Sequence, residues 1–246
     1  MLSSLNQNRE LQNKMNKVFA VGVGPGSSRY VTDIVKDVIL KCDVVIGYGY
    51  TIKTIEEYVK GKRILEVTMQ NQEDSYQEIA KEDNHTILVP FTGDVNFSES
   101  EVVDRLIEIY DEVEIIPGIS STQVAASRAK VPTDKSKVIT MHISTSIEEK
   151  KLELVKALID GYSVILVPRP WPKVPEKHFM QSEIAKYLKE KGFETSKMKV
   201  HVYESITTEN ETSFEGTVEQ LEGKEFSDLS VMVFNQATLE SYINFD

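Results

Sequence analysis

The sequence is short of several residue types, and each shortage removes a class of protein. One cysteine, Cys42, permits no internal disulfide, so this is not a stapled secreted scaffold. The four histidines, His85, His142, His178 and His201, are too scattered to give a recognisable metal-ligand or triad spacing, and read as structural or surface residues. There is no G-x-S-x-G, no H-E-x-x-H and no cysteine pair, so no metal is expected. Hydrophobic runs such as Val164 to Val167 are strand-sized, far below the ~20 residues that span a bilayer. Residues 1–16 are polar and carry no apolar signal stretch, which makes the cytoplasm the expected location and a membrane an unexpected partner. Cations are in deficit, 28 lysines and arginines against 39 carboxylates for a net charge of −11, and that balance disfavours nucleic acid.

What remains is an ordinary globular composition, 40% hydrophobic and 27% charged over 246 residues, with no fixed-period repeat and no low-complexity tract. A chain this long buries roughly three quarters of its extended surface, enough for one large core or two smaller ones. Residues 1–16 read as a polar extension. From residue 17, β-branched runs at 17–23, 43–47, 63–67, 85–91 and 112–116 alternate with amphipathic stretches at 30–41, 51–59, 73–83, 99–110 and 120–130. Five strand–helix units in succession predict a parallel, doubly wound sheet whose ligand crevice lies beyond the C-terminal ends of its strands. The proline-bearing segment 131–136 breaks the rhythm, which sets the expected domains at 17–132 and 137–246. Beyond it, strands at 138–142, 163–167, 199–203, 213–218 and 230–234, with helices near 147–159 and 181–191, predict a second, mixed sheet. The fold class is therefore α/β in two domains. Cys42, beside a core strand, reads as a small apolar filler.

Three loops fall at the predicted strand ends. The first, Gly22-Val23-Gly24-Pro25-Gly26-Ser27-Ser28, reads as a glycine-rich turn opening a helix. It does not fit a dinucleotide site: position 27 is serine, Pro25 lacks the amide that would cradle an anion, and Asp43 precedes the second strand instead of ending it. A tight turn needing positive φ explains Gly24 and Gly26 equally well. After the fourth strand comes Pro90-Phe91-Thr92-Gly93-Asp94-Val95-Asn96-Phe97. Its glycine permits close approach of a ligand, and Asp94 is either an acceptor for that ligand or an Asx turn or helix cap. After the fifth strand, Pro117-Gly118-Ile119-Ser120-Ser121-Thr122 opens a helix with hydroxyls that are caps or ligand contacts. In the second domain, residues 168–178 combine four prolines with Arg169, Lys173, Lys177, His178 and the sole tryptophan, Trp171. Arg169, Trp171 and Lys173 either present a substrate-binding face or belong to a solvated crossover; Arg29 and Arg128 are secondary cationic candidates.

These anchors, with Glu211 and Gly216-Thr217 further on, resemble the tetrapyrrole (corrin and porphyrin) methylases over residues 17 to about 235. Residues 116–126 look most like the cobalt-precorrin-7 (carbon 5) methyltransferases of cobalamin synthesis. The resemblance implies two α/β domains with S-adenosylmethionine in the cleft between them, a homodimer, a corrinoid substrate, and a decarboxylase or methylase of the same pathway as partner. It implies cofactor contacts from Pro25, Gly93, Asp94, Phe97, Ser120, Ser121, Leu166 and Tyr203, and identifies no catalytic residue. Two features depart from the family pattern: Val95 stands where a proline follows Gly-Asp, and Glu99 brings a carboxylate where the family tends to have none. The rival readings are a diphthine synthase or ribosomal RNA methylase, and a non-catalytic cofactor-binding sensor.

Overall fold

The computed structural model describes residues 16–82, 84–97, 99–143, 145–170 and 178–236. The chain divides into two compact units between Ser120 and Ser121. In the first, strands β1 (Lys17–Gly22), β2 (Val44–Tyr48), β3 (Arg63–Val67), β4 (Thr86–Phe91) and β5 (Glu112–Ile116) form one sheet in the order β3-β2-β4-β1-β5. Every pairing in it is parallel. The connecting helices are α1 (Asp33–Lys41), α2 (Gly49–Thr54), α3 (Gln72–Ala80) and α4 (Ser100–Ile109). They follow their apolar spacing: α1 buries Val35, Val38 and Ile39 at i, i+3 and i+4, and α4 buries Val103 and Leu106. With helices on both faces, the central strands are apolar throughout, and Val18, Ala20, Val21, Ile87, Leu88 and Val89 are all essentially inaccessible. Pairing of β2 with β4 stops at Val45 and Leu88, ahead of Pro90, which has no N–H to contribute.

The second unit opens with α5 (Ser121–Ala129) and carries β6 (Ser136–Thr140), α6 (Glu148–Ile159), β7 (Ser163–Val167), α7 (Gln181–Glu190), β8 (Lys199–Glu204), β9 (Thr212–Thr217) and β10 (Ser230–Phe234). Its sheet runs β6-β7-β10-β8-β9, with β6 and β7 parallel and the other pairs antiparallel, a mixed sheet as the sequence predicts. Ile139, Leu154, Leu158, Leu166, Val200, Val202, Met232 and Phe234 belong to one core.

Three details differ from the sequence reading. The division falls ahead of α5, not within 131–136, because α5 packs on β7 and β10. The helix expected over 51–59 is the shorter α2. No α-helix starts at the first glycine loop: a 3₁₀ turn, Ser28–Tyr30, intervenes, with Ser27 Oγ accepting from Arg29 N at 3.3 Å, and α1 begins only at Asp33. Of the polar extension, Asn16 is described, and it is tied down: Nδ2 donates to Glu82 O at 2.6 Å and Oδ1 accepts from His85 N at 2.8 Å.

Candidate functional site

The sheet order puts β4, β1 and β5 side by side and all parallel, so the loops that follow them emerge at one edge. There the backbone is packed without room for side chains. A Cβ on Gly22 would lie 2.5 Å from Gly93 O and 2.6 Å from Gly118 N, and one on Gly118 would strike Gly93 O and Gly22 O. Gly24 and Gly93 exchange two hydrogen bonds, Gly93 N to Gly24 O at 2.8 Å and Gly24 N to Gly93 O at 3.2 Å, with both residues at positive φ. The three loops are one bare-backbone cradle at the C-terminal edge, where open α/β sheets bind ligands.

Asp94 is held across this cradle. Its Oδ1 accepts from Asn96 N at 3.1 Å, Asn96 Nδ2 at 3.1 Å and Gly118 N at 3.5 Å, and Phe97 N donates to Asp94 O at 3.0 Å. The Asx turn and the ligand-facing carboxylate are thus compatible: one oxygen fixes the loop, while Oδ2 takes no hydrogen bond from the described residues. An oriented acceptor beside the half-buried Phe97 can take an ammonium or hydroxyl donor. With Pro25 in the turn and no α-helix N-terminus at it, the loop has neither the amides nor the dipole that hold a pyrophosphate.

Beside the cradle lies a group that the sequence reading left undrawn. Since β2 neighbours β4, Tyr48 at the end of β2 and Tyr50 in α2 sit at the same edge as the loop from β4 to α4. Their rings stack at 5.5 Å, and Tyr48 Oη donates to the buried Gln72 at 3.0 Å. The half-buried Glu99 closes that loop, and burial pushes its carboxyl up to about 7. Burial first, and then the charge of Glu99, raise the Tyr48 phenol, while the Tyr50 side chain is 58% exposed. The signal in the sequence is the run Gly47-Tyr48-Gly49-Tyr50 at a strand's C-terminal end.

In the first unit Pro25 and Ser120 are buried at this edge. The other candidates belong to the second unit. Ser121 is the first residue of α5, and Leu166 is fully buried in the core. Tyr203 stacks on His201 at 6.2 Å. Glu211 Oε2 accepts from Arg128 Nη2 at 3.1 Å and from Thr207 N at 2.7 Å, which engages that cation in an ion pair. Arg169 is no surface cation. Its backbone bridges to Phe179, N to O at 3.1 Å and O from N at 3.0 Å, and its side chain is only 2% exposed. Trp171 and Lys173 lie outside the described residues. Among the described residues no three His, Cys, Asp or Glu side chains gather as metal ligands, and no helix is long and apolar enough to cross a membrane.

A parallel α/β unit with a glycine cradle and an acidic residue at its strand ends, joined in sequence to a mixed-sheet α/β unit, defines a class of small-ligand-binding fold. Residues 17–222 match the family of Tetrapyrrole (Corrin/Porphyrin) Methylases, and the chain belongs to that family and is a methyltransferase. It is 28% identical over 226 residues to a probable cobalt-precorrin-7 C(5)-methyltransferase of Methanocaldococcus jannaschii, an alignment covering 88% of this chain and 97% of the relative. Among solved structures it is similar to the methyltransferase CobJ, with a TM-score of 0.72 at 17% identity over 90% of this chain and 95% of that one. It is also similar to the cobalamin biosynthesis precorrin-6Y methylase CbiE of Archaeoglobus fulgidus, with a TM-score of 0.65 at 22% identity over 90% and 98%.

Proposed function

We propose that this chain is an S-adenosylmethionine-dependent methyltransferase of corrin biosynthesis that methylates carbon 5 of cobalt-precorrin-7. The observation that carries the reading is the near end-to-end correspondence with the Methanocaldococcus protein of that name. The site's chemistry supports it. When bound, S-adenosylmethionine supplies an electrophilic methyl group, so the protein's task is to orient two ligands and exclude water. Asp94 offers an acceptor for an ammonium or hydroxyl and Phe97 an apolar face, and the buried Pro25 and Ser120 lie at the same edge, where the backbones of Gly22, Gly93 and Gly118 pack against one another. A homodimer belongs to the same proposal and is read by sedimentation.

The test is mass spectrometry of a corrinoid pool incubated with the protein and S-adenosylmethionine. One added methyl, placed at carbon 5 by NMR, is expected. Binding of S-adenosylhomocysteine with no turnover on any corrinoid would instead identify a sensor, and transfer to a different carbon would retain the family chemistry and overturn the assignment to cobalt-precorrin-7.

A further inference from the structure

Tyr50 is a large aromatic residue that fills no core: its side chain is 58% exposed, yet the backbone that carries it is fixed at both ends. Gly47, near the end of β2, packs so closely on β4 that a Cβ there would lie 2.8 Å from Pro90 Cγ. A Cβ on Gly49 would strike the carboxylate of Glu66 in β3. Within α2, the buried Thr51 donates from Oγ1 to Tyr48 O at 2.8 Å. Thr54 Oγ1 donates to Tyr50 O at 3.2 Å and to Gly26 O, in the first glycine loop, at 3.3 Å. One end of this segment thus lies against the strand that leads to Gly93 and Asp94, and the other is tied to the loop after β1, so α2 borders the glycine cradle. The Tyr48 ring is held in turn by its bond to Gln72 at 3.0 Å, and it stacks on Tyr50 with centroids 5.5 Å apart and planes within 14°. An offset stack of this kind orients the outer ring before anything binds.

We infer that the Tyr50 ring, backed by Tyr48, takes the flat face of the corrinoid and holds the substrate beside the cofactor. The inference rests on the methyl transfer proposed above. Position separates this pair from the cofactor contacts of the first unit. Those come from the loops after β4, β1 and β5, whereas the tyrosines follow β2, on the side of β4 away from β1. Chemistry favours the macrocycle as the occupant. A corrinoid precursor is a broad conjugated ring rimmed by carboxylates, and a chain of net charge −11 repels that rim. A neutral aromatic ring binds the apolar face without opposing the charges around it, and covering Tyr50 removes from water apolar surface that the free protein leaves wet.

The experiment compares wild-type protein with Tyr50→Ala and Tyr50→Phe in steady-state methylation of the corrinoid at saturating S-adenosylmethionine. Tyr50→Ala is expected to raise the corrinoid KM about tenfold with little change in kcat, the mark of lost uniform binding. Tyr50→Phe keeps the ring and is expected to stay within about twofold of wild type. In both variants the affinity for S-adenosylhomocysteine in calorimetry and the midpoint of urea unfolding are expected to be unchanged, since the side chain is exposed and apart from the cofactor contacts. If wild-type protein turns over and Tyr50→Ala keeps its KM, the ring does not hold the substrate and the methyltransferase reading stands. Loss of S-adenosylhomocysteine affinity in step with the corrinoid assigns the ring to the cofactor and overturns the inference as well. A tenfold rise in KM that Tyr50→Phe shares makes the hydroxyl, not the ring face, the binding group, and overturns it too. Failure of the wild-type protein to methylate any corrinoid overturns the functional reading, and this inference falls with it.

Discussion

Asp94 has two separable duties, and its two oxygens divide them. Oδ1 fastens the loop to Asn96 and Gly118, while Oδ2, which takes no hydrogen bond from the described residues, is the oxygen that the proposed function assigns to the cofactor. Asp94→Asn keeps an acceptor at Oδ1 and removes the charge. It is expected to weaken S-adenosylhomocysteine binding by about 1–3 kcal/mol in calorimetry, with the melting temperature of the free protein nearly unchanged. Asp94→Ala should lose both affinity and loop order. Glu99 makes the opposite trade. Its folded carboxyl holds its proton up to about pH 7 against an ordinary value of 4.5. The folded state therefore binds more protons than the unfolded one between those limits, and stability falls as pH rises through that window. Glu99→Gln is expected to unfold at higher urea than wild type at pH 8, by on the order of 1–3 kcal/mol, and at the same urea at pH 4. Equal stabilities at pH 8 would show that the carboxylate is solvated.

At the scale of elements, the cradle depends on three glycines whose constraint is proximity. Gly118→Ala places a methyl against the carbonyls of Gly93 and Gly22, backbone groups that have no rotamer to escape into. An overpacking cost of about 1–3 kcal/mol in urea unfolding is expected, together with a measurable loss of S-adenosylhomocysteine affinity from the displaced loop. The elements were legible because two periods alternate so cleanly: Arg63–Val67, Glu112–Ile116, Ser163–Val167 and Ser230–Phe234 have the same limits in sequence and structure. The convergence of the three loops was legible too, since parallel strands send their C-terminal ends to one edge. What escaped were relations between distant residues. Arg169 is buried beside a bridge to Phe179, ten residues on, and the placing of Tyr48 at the edge of the loop from β4 depends on β2 lying beside β4, an order that periodicity does not encode. The location of the unit boundary escaped for a similar reason: the proline segment 131–136 is a turn within the second unit, and α5 is placed by the sheet it covers.

For the whole molecule, the net charge of −11 bears on the polycarboxylate corrinoid proposed above as substrate. With Arg169 enclosed and Arg128 paired to Glu211, two of the cations expected to offset that charge do not act as free surface groups. The apparent KM for a polycarboxylate corrinoid is therefore expected to fall as salt is raised toward 0.15 M, where the screening length is about 8 Å. A KM that rises with salt in steady-state assays would point to a dominant cationic surface elsewhere. Arg169→Gln should lower the melting temperature, which loss of a solvated side chain would not do.

The sole cysteine offers a built-in probe of the two-unit architecture. Cys42 is 3% exposed between α1 and β2, its thiol donates to Ile39 O at 3.1 Å, and burial pushes its pKa up to about 11. In the native state it is neither accessible nor ionised, so alkylating reagents have nothing to attack. Pulse labelling in rising denaturant would thus record the opening of the first unit alone, and its midpoint set against far-ultraviolet circular dichroism, which sees both units, tells whether they unfold together or in turn.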